Sequence, residues 1–121
     1  MDFNDTPEEA AFRKEVRAWL DANATRKSDD KQSFRARNDD PELLAKAKEW
    51  QAKKAAAGYA RITWPKEYGG LGLTGLQQVI WYEELARTHA PHHINTTYVA
   101  MMHAGPTVIA RGTDAQKAFH L

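Results

Sequence analysis

Apolar and polar positions along this chain follow the period of a helix almost wherever they have a period. Phe12, Val16, Trp19 and Leu20 recur at i, i+4, i+7 and i+8, which gathers them on one apolar stripe. Ahead of them, Thr6-Pro7-Glu8-Glu9 reads as an N-cap, a proline at the first helical position and a capping-box glutamate. The spacing predicts a helix over 7–22. Residues 25–39 carry charges of both signs, a single large apolar side chain, Phe34, and no period, so they read as a solvated loop. Asp40-Pro41-Glu42 opens a second helix by the same cap-then-proline logic. Its expected buried stripe is Leu43, Leu44, Ala47 and Trp50; Lys46, Lys48, Lys53 and Lys54 form its solvated rim, and Gly58 its C-cap.

Tyr59 to Pro65 has the β-propensity of a short strand. Pro65, however, removes a donor and restricts Trp64 to extended backbone, and no second strand pattern exists to pair with it. An ordered connection is expected, with Trp64 buried and Pro65 leading into a turn at Gly69-Gly70. Gly72 and Gly75 follow closely. Thr74-Gly75-Leu76-Gln77 is another capping box, starting a helix that runs to about Thr88. Leu76, Val79, Ile80, Trp81, Tyr82, Leu85 and Ala86 cover most of its circumference and leave Gln77, Glu84 and Thr88 as its polar stripe. Pro91 ends the preceding element. Asn95 or Thr96 caps a helix over 97–103, which Gly105-Pro106 breaks; a short helical turn over 107–110 closes at Gly112. Thr113-Asp114-Ala115-Gln116 then opens a helix that is barely two turns old at Leu121. The expected fold is all-α: a small bundle of five to six unequal helices, a long ordered Gly/Pro-rich connection, and no sheet, with 1–121 as one helical domain.

Composition narrows the function classes. The chain has 121 residues, of which 42% are hydrophobic and 27% charged, which excludes a disordered or collagen-like chain. A net charge of +1 offers no electrostatic case for nucleic acid or an acidic membrane. Without cysteine there is no disulfide framework, iron–sulfur cluster or thiol chemistry, a pattern that suits a reducing compartment. No apolar run approaches the roughly twenty residues that a membrane span needs. The acidic start Met1-Asp2-Phe3-Asn4-Asp5 is neither a secretory signal nor an Arg-rich transit peptide, so a cytoplasmic location is expected.

Candidate chemistry is sparse. His89 and His93 stand four apart, but Pro91 lies between them, and no acidic residue completes a zinc-helix motif. Solvent-exposed loop histidines are the reading, and no metal site is expected. Glu83 and Glu84 are neighbours, yet neighbours on a helix point roughly 100° apart and share no substrate atom. Glu83 lies between Val79 and Ile80 with Arg87 at i+4, so a partly buried structural ion pair with Arg87 is expected, without a catalytic role. The stretch GGLGLTG lacks the lysine and hydroxyl of a P-loop, and no strand precedes it. Tyr98, Val99, Met101 and Met102 read either as plain core or as the lining of an apolar channel. No Ser-His-Asp arrangement stands out. From the residues alone this is a helical domain with no self-sufficient active site.

Three ordered stretches carry a resemblance. GYARITWPKEYGGLGLT at 58–74 is similar to the pattern G-[WY]-x-x-[IL]-x-[WFV]-P-x-x-[YF]-G-G-x-G of the acyl-CoA dehydrogenase family. QVIWYEELAR at 78–87 resembles that family's E-E-[LM]-[AG]-R helix, and GTDAQKAFHL at 112–121 its G-[TS]-x-x-Q-[KR]-x-x-x-L element. The helix over Thr6 to Leu20 also suits the family's first helix, whereas 24–40 match nothing specific.

The resemblance implies the N-terminal helical domain of a FAD-dependent dehydrogenase that introduces an α,β double bond into an acyl-CoA thioester. It implies further that the β domain, much of the FAD site and the C-terminal bundle with its catalytic glutamate lie outside this chain. The chain is thus expected to be a domain fragment, inactive alone. It is expected to contain no catalytic residue and no flavin contact, to bind FAD poorly, and to expose an apolar docking surface that favours self-association. In the family, the helix before the Gly-Pro pair lines the far end of the acyl pocket, which implies that Tyr98, Val99 and Met102 lie along the substrate tail. The full-length form is expected to be a homo-oligomer. Two other readings stay open: a non-catalytic helical interaction module, and a subunit of a hetero-oligomeric acyl-CoA dehydrogenase.

Overall fold

The computed structural model describes residues 4–27, 41–91 and 95–121. Among them, α1 spans Pro7–Asn23, α2 Pro41–Ala56, α3 Gly75–Ala86, α4 Asn95–Val99, α5 Gly105–Arg111 and α6 Asp114–His120. A 3-10 turn, Lys66–Tyr68, precedes α3, and a π-helical turn, Ala100–Ala104, joins α4 to α5. No strand occurs among the described residues; the one extended pairing is an isolated antiparallel bridge between Arg26 and Thr88. The expected all-α class and absence of a sheet hold. Most of the loop expected over 25–39, with Phe34, lies outside the described residues, as do Asp40 and His93. The chain divides into two compact units, one drawn from 1–34 and 73–90, the other from 35–72 and 91–121.

The first unit pairs α1 with α3. Thr6 caps α1: its hydroxyl accepts from the Glu9 amide at 3.3 Å, and the Glu9 carboxylate accepts from the Thr6 amide at 2.8 Å. Phe12, Val16 and Leu20 on α1 and Ile80 and Trp81 on α3 are buried. Each such side chain contributes roughly 1.5–3 kcal/mol. The chain leaving α1 is strapped to the end of α3, where Lys27 N donates to Arg87 O at 2.9 Å and His89 N to Thr25 O at 2.8 Å. The Lys27 ammonium reaches Ala86 O at 2.9 Å, placing a cation on the open carbonyls of a helix C-terminus.

The buried face of α3 mixes Ile80 and Trp81 with polar residues, which amphipathicity alone would not dictate. Gln77, Glu84 and Thr88 are buried, while Leu76 is 64% and Val79 50% exposed. A polar stripe can turn inward only if each of its groups finds a partner. The Gln77 carbonyl accepts from the Thr74 amide at 3.0 Å, and the Thr88 hydroxyl donates to Leu85 O at 2.8 Å and accepts from Ala90 N at 3.2 Å. Glu84 meets arginines of α1, described below.

In the second unit, Ala47 and Trp50 of α2 are buried, as expected, along with Tyr59, Ile62 and Trp64. Leu44 is exposed instead of buried, and the side chain of Leu43 lies outside the described residues. Lys54 corrects the solvated rim: it is only 3% exposed, and burial pulls its ammonium down to about 8. The correction follows from register, since Ala47, Trp50 and Lys54 fall at i, i+3 and i+7 on one face. After α2 the chain turns at Gly58, whose φ of 87° is open to glycine at little cost.

Candidate functional site

The carboxylates of α3 form an ion cluster with α1. Arg13 and Arg17, one turn apart, face them. Arg17 grips Glu84 with both prongs of its guanidinium, Nε to Oε2 at 2.9 Å and Nη2 to Oε1 at 2.8 Å. Arg13 Nη1 reaches Glu84 Oε1 at 3.3 Å and Glu83 Oε2 at 2.7 Å, while its other nitrogens hold Asp5. Arg87 Nη1 stands 3.8 Å from Glu84. The Arg17 hydrogen bonds, against the opposing effect of burial and with Arg13 assisting, hold the Glu84 carboxyl below its usual range. The expected Glu83–Arg87 pair is corrected: Glu83 is half exposed and pairs with Arg13, whereas Glu84 is the buried carboxylate. Its neutralised, fully partnered state is that of a structural group, not a proton carrier.

The glycine-rich connection is closed on itself. The amides of Gly69, Gly70, Leu71 and Gly72 donate to Lys66 O at 3.0 Å, Pro65 O at 3.1 Å, Arg61 O at 3.2 Å and Trp64 O at 2.9 Å. With these donors taken, the loop does not fit a phosphate or dinucleotide as a cradle. Its glycines seat the Trp64 segment instead. A Cβ at Gly70 would stand 2.0 Å from Trp64 O, and one at Gly105 would stand 2.1 Å from Trp64 Cζ2. Trp64 is therefore buried, at 9% exposure, as expected, and Pro65 is extended at φ −54°, ψ 146°. The Arg61 guanidinium lies 5.6 Å from the Trp64 ring centroid and donates to Tyr68 O at 2.8 Å.

Opposite the indole, the helix does not break at Gly105-Pro106 as its sequence suggests. It continues, under-wound by one π-turn. Pro106 has no N–H, and its ring would collide with the carbonyl four residues back in a regular α-helix. The wider turn accommodates this: Gly105 N donates to Ala100 O, five residues back, and Thr107 Oγ1 donates to His103 O at 2.8 Å. Tyr98, Val99 and Met102, the residues implied for an acyl tail, all lie on this stretch. Tyr98 and Val99 are exposed and Met102 is half-buried. The sequence reading missed His103, whose ring meets Tyr98 edge-on with centroids 5.4 Å apart. Residues five apart stand about 140° apart on an α-helix, which hides the pair from an α-helical reading. The missed signal is the proline right behind a helical run. His89 is exposed, and no group of three or more metal-binding side chains occurs among the described residues.

The described residues form an all-α chain with a buried carboxylate held by two arginines, a glycine-seated tryptophan and an under-wound helix. The family profile "Acyl-CoA dehydrogenase, N-terminal domain" matches residues 6–121, and the chain belongs to that family. It is 35% identical over 106 residues to the acyl-CoA dehydrogenase IpdE1 of Mycobacterium tuberculosis, covering 88% of this chain and 27% of that protein. With the acyl-CoA dehydrogenase FadE26 of the same organism it shares 28% identity over 116 residues, covering 96% of this chain and 28% of that one. Among solved structures it matches the ChsE4–ChsE5 complex of M. tuberculosis with a TM-score of 0.67 and 27% identity, covering 100% of this chain and 28% of that chain. The chain thus spans little more than a quarter of the length of these relatives. No helix among the described residues is long and apolar enough to cross a membrane.

Proposed function

We propose that this chain is the N-terminal helical domain, over 1–121, of a FAD-dependent acyl-CoA dehydrogenase acting on the α,β bond of an acyl-CoA thioester. The observation that carries the reading is the family match across 6–121. In this reading, Tyr98, Val99 and Met102 supply part of the wall along the acyl tail, and the exposed Leu76–Val79 face of α3 serves domain packing. FAD supplies the oxidising chemistry when bound. The glycine-rich connection of this chain offers it no cradle, so the cofactor and the catalytic base belong to segments that this chain does not span. A cytoplasmic, homo-oligomeric enzyme is part of the same proposal, the cysteine-free composition suiting a reducing compartment.

The test compares the isolated chain with the full-length protein. Each is titrated with FAD, assayed with acyl-CoA and an artificial electron acceptor, and sized by light scattering. Flavin retention and turnover in the full-length protein, with neither in the isolated chain, is the expected result; stoichiometric flavin and turnover in the isolated chain would refute the fragment reading. A second reading, a hetero-oligomeric dehydrogenase, is favoured by the structural neighbour's being a complex of two differently named chains. Co-purification with a paralogous dehydrogenase chain would select it. An interaction module without catalysis would instead leave the full-length protein inert toward every acyl-CoA.

A further inference from the structure

The wall implied by Tyr98, Val99 and Met102 is apolar apart from the tyrosine hydroxyl, and an apolar wall does not read anything at the end of a tail. The π-turn changes its chemistry. Five-residue closure over Ala100–Ala104 swings His103 around toward Tyr98, until the two rings meet edge-on at 5.4 Å. The turn is fixed from behind: Gly105 lies flush against the Trp64 indole, and Pro106 cannot restore the α-helical bond. The imidazole is on an exposed residue beside Tyr98 and brings to this stretch a ring with both a hydrogen-bond donor and an acceptor.

We infer that His103 is a specificity-determining residue of this wall, and that the acyl tail it selects carries an oxygen function, a hydroxyl or carbonyl, near its end. The inference rests on the reading of Tyr98, Val99 and Met102 as acyl wall. A hydrocarbon tail covering His103 would strip water from an imidazole donor and acceptor and return nothing, whereas an oxygenated tail replaces the lost hydrogen bond. Sites with a hydrogen-bonding group discriminate strongly against analogues that lack the partner, while apolar walls discriminate weakly. Met102, with only a thioether, makes no such distinction.

The experiment uses the full-length dehydrogenase that carries this chain and a pair of thioesters of equal length, octanoyl-CoA and ω-hydroxyoctanoyl-CoA. Wild type is expected to favour the hydroxylated tail in kcat/KM by about tenfold, with the difference mainly in KM. His103→Leu should reduce the preference to within about threefold, while His103→Gln, which keeps a donor and acceptor, should retain most of it. Flavin content and thermal midpoint equal to wild type establish that both variants fold; His89→Leu, a change at an exposed histidine of the first unit, serves as the control. An unchanged preference in a folded His103→Leu protein, or a wild type that prefers the plain tail, overturns the inference and leaves the acyl-wall reading standing. Turnover of neither thioester by wild type overturns both.

Discussion

The two units hold themselves together by opposite means. Between α1 and α3, a carboxylate with 2% exposure is balanced by guanidinium groups that remain partly in water. Trp64, in the second unit, is held by shape: the indole is seated where Gly70 and Gly105 have no side chain. The first arrangement depends on what the residues carry, the second on what they lack. A charged seam tolerates changes of shape and fails when one partner is removed, because the other is left buried and uncompensated. A glycine seat tolerates changes of charge and fails when a single methyl group is added.

The largest expected effect is at the seat. Trp64→Ala should cost roughly 3–5 kcal/mol, as for other buried aromatics. Gly70→Ala should approach that loss despite its small size, because the backbone carbonyl it would meet cannot rotate away. Chemical denaturation followed by circular dichroism measures both; a loss under about 1 kcal/mol for Gly70→Ala would show that the contact relaxes. Next comes the seam. Arg17→Met should cost roughly 3 kcal/mol by removing the two-pronged partner of the buried Glu84 carboxylate, and should flatten the dependence on acid, since the folded carboxyl then returns toward its unfolded value.

The sign of that dependence follows from linkage. The folded Glu84 carboxyl sits below its unfolded value, so its stabilisation is complete above the ordinary carboxylate range and disappears as pH falls through the folded value. Lys54 works the other way. Its folded value of about 8 lies below the ordinary 10.5, so the unfolded chain binds more protons between those limits, and stability rises as pH rises across them. Lys54→Met should raise stability near pH 7 by roughly 1–3 kcal/mol and flatten the thermal midpoint between pH 8 and 10.5. A midpoint that stays pH-dependent there would assign the effect to another group. The smallest effect expected is at Glu83. Glu83→Gln should change stability by no more than about 1 kcal/mol, and a loss as large as that of Arg17→Met would erase the contrast between a half-exposed and a buried carboxylate.

These asymmetries mark where the sequence was legible. Thr6, Thr74 and Thr113 cap their helices as their neighbours three residues on announce, since a cap is local chemistry. The Phe12–Val16–Leu20 stripe and the buried Trp64 were equally readable. Which face of α3 turns inward was not, because amphipathicity supposes an apolar partner, and here Arg13 and Arg17 on α1 draw in Gln77's neighbour stripe by charge. The burial of Lys54 needs the tertiary neighbours of α2, which no local pattern contains. At Gly105-Pro106 the local rule pointed to a break, and the helix survived by changing its winding. Tyr98, Val99 and Met102 were singled out by family resemblance alone; the neighbourhood of His103 and Tyr98 required the geometry.

The placement of the indoles has an optical consequence. Of the four tryptophans, Trp19 and Trp81 belong to the first unit and Trp50 and Trp64 to the second. Trp19 and Trp81 stand 5.9 Å apart at 50°, close enough for their transitions to couple and give a paired near-ultraviolet dichroism signal. Trp50, Trp64 and Trp81 are all shielded, so emission lies to the blue in the folded chain and shifts to the red as water reaches them in either unit. The paired dichroism thus belongs to the first unit alone, and an emission shift that runs ahead of its loss would record the loosening of the glycine seat in one unlabelled sample.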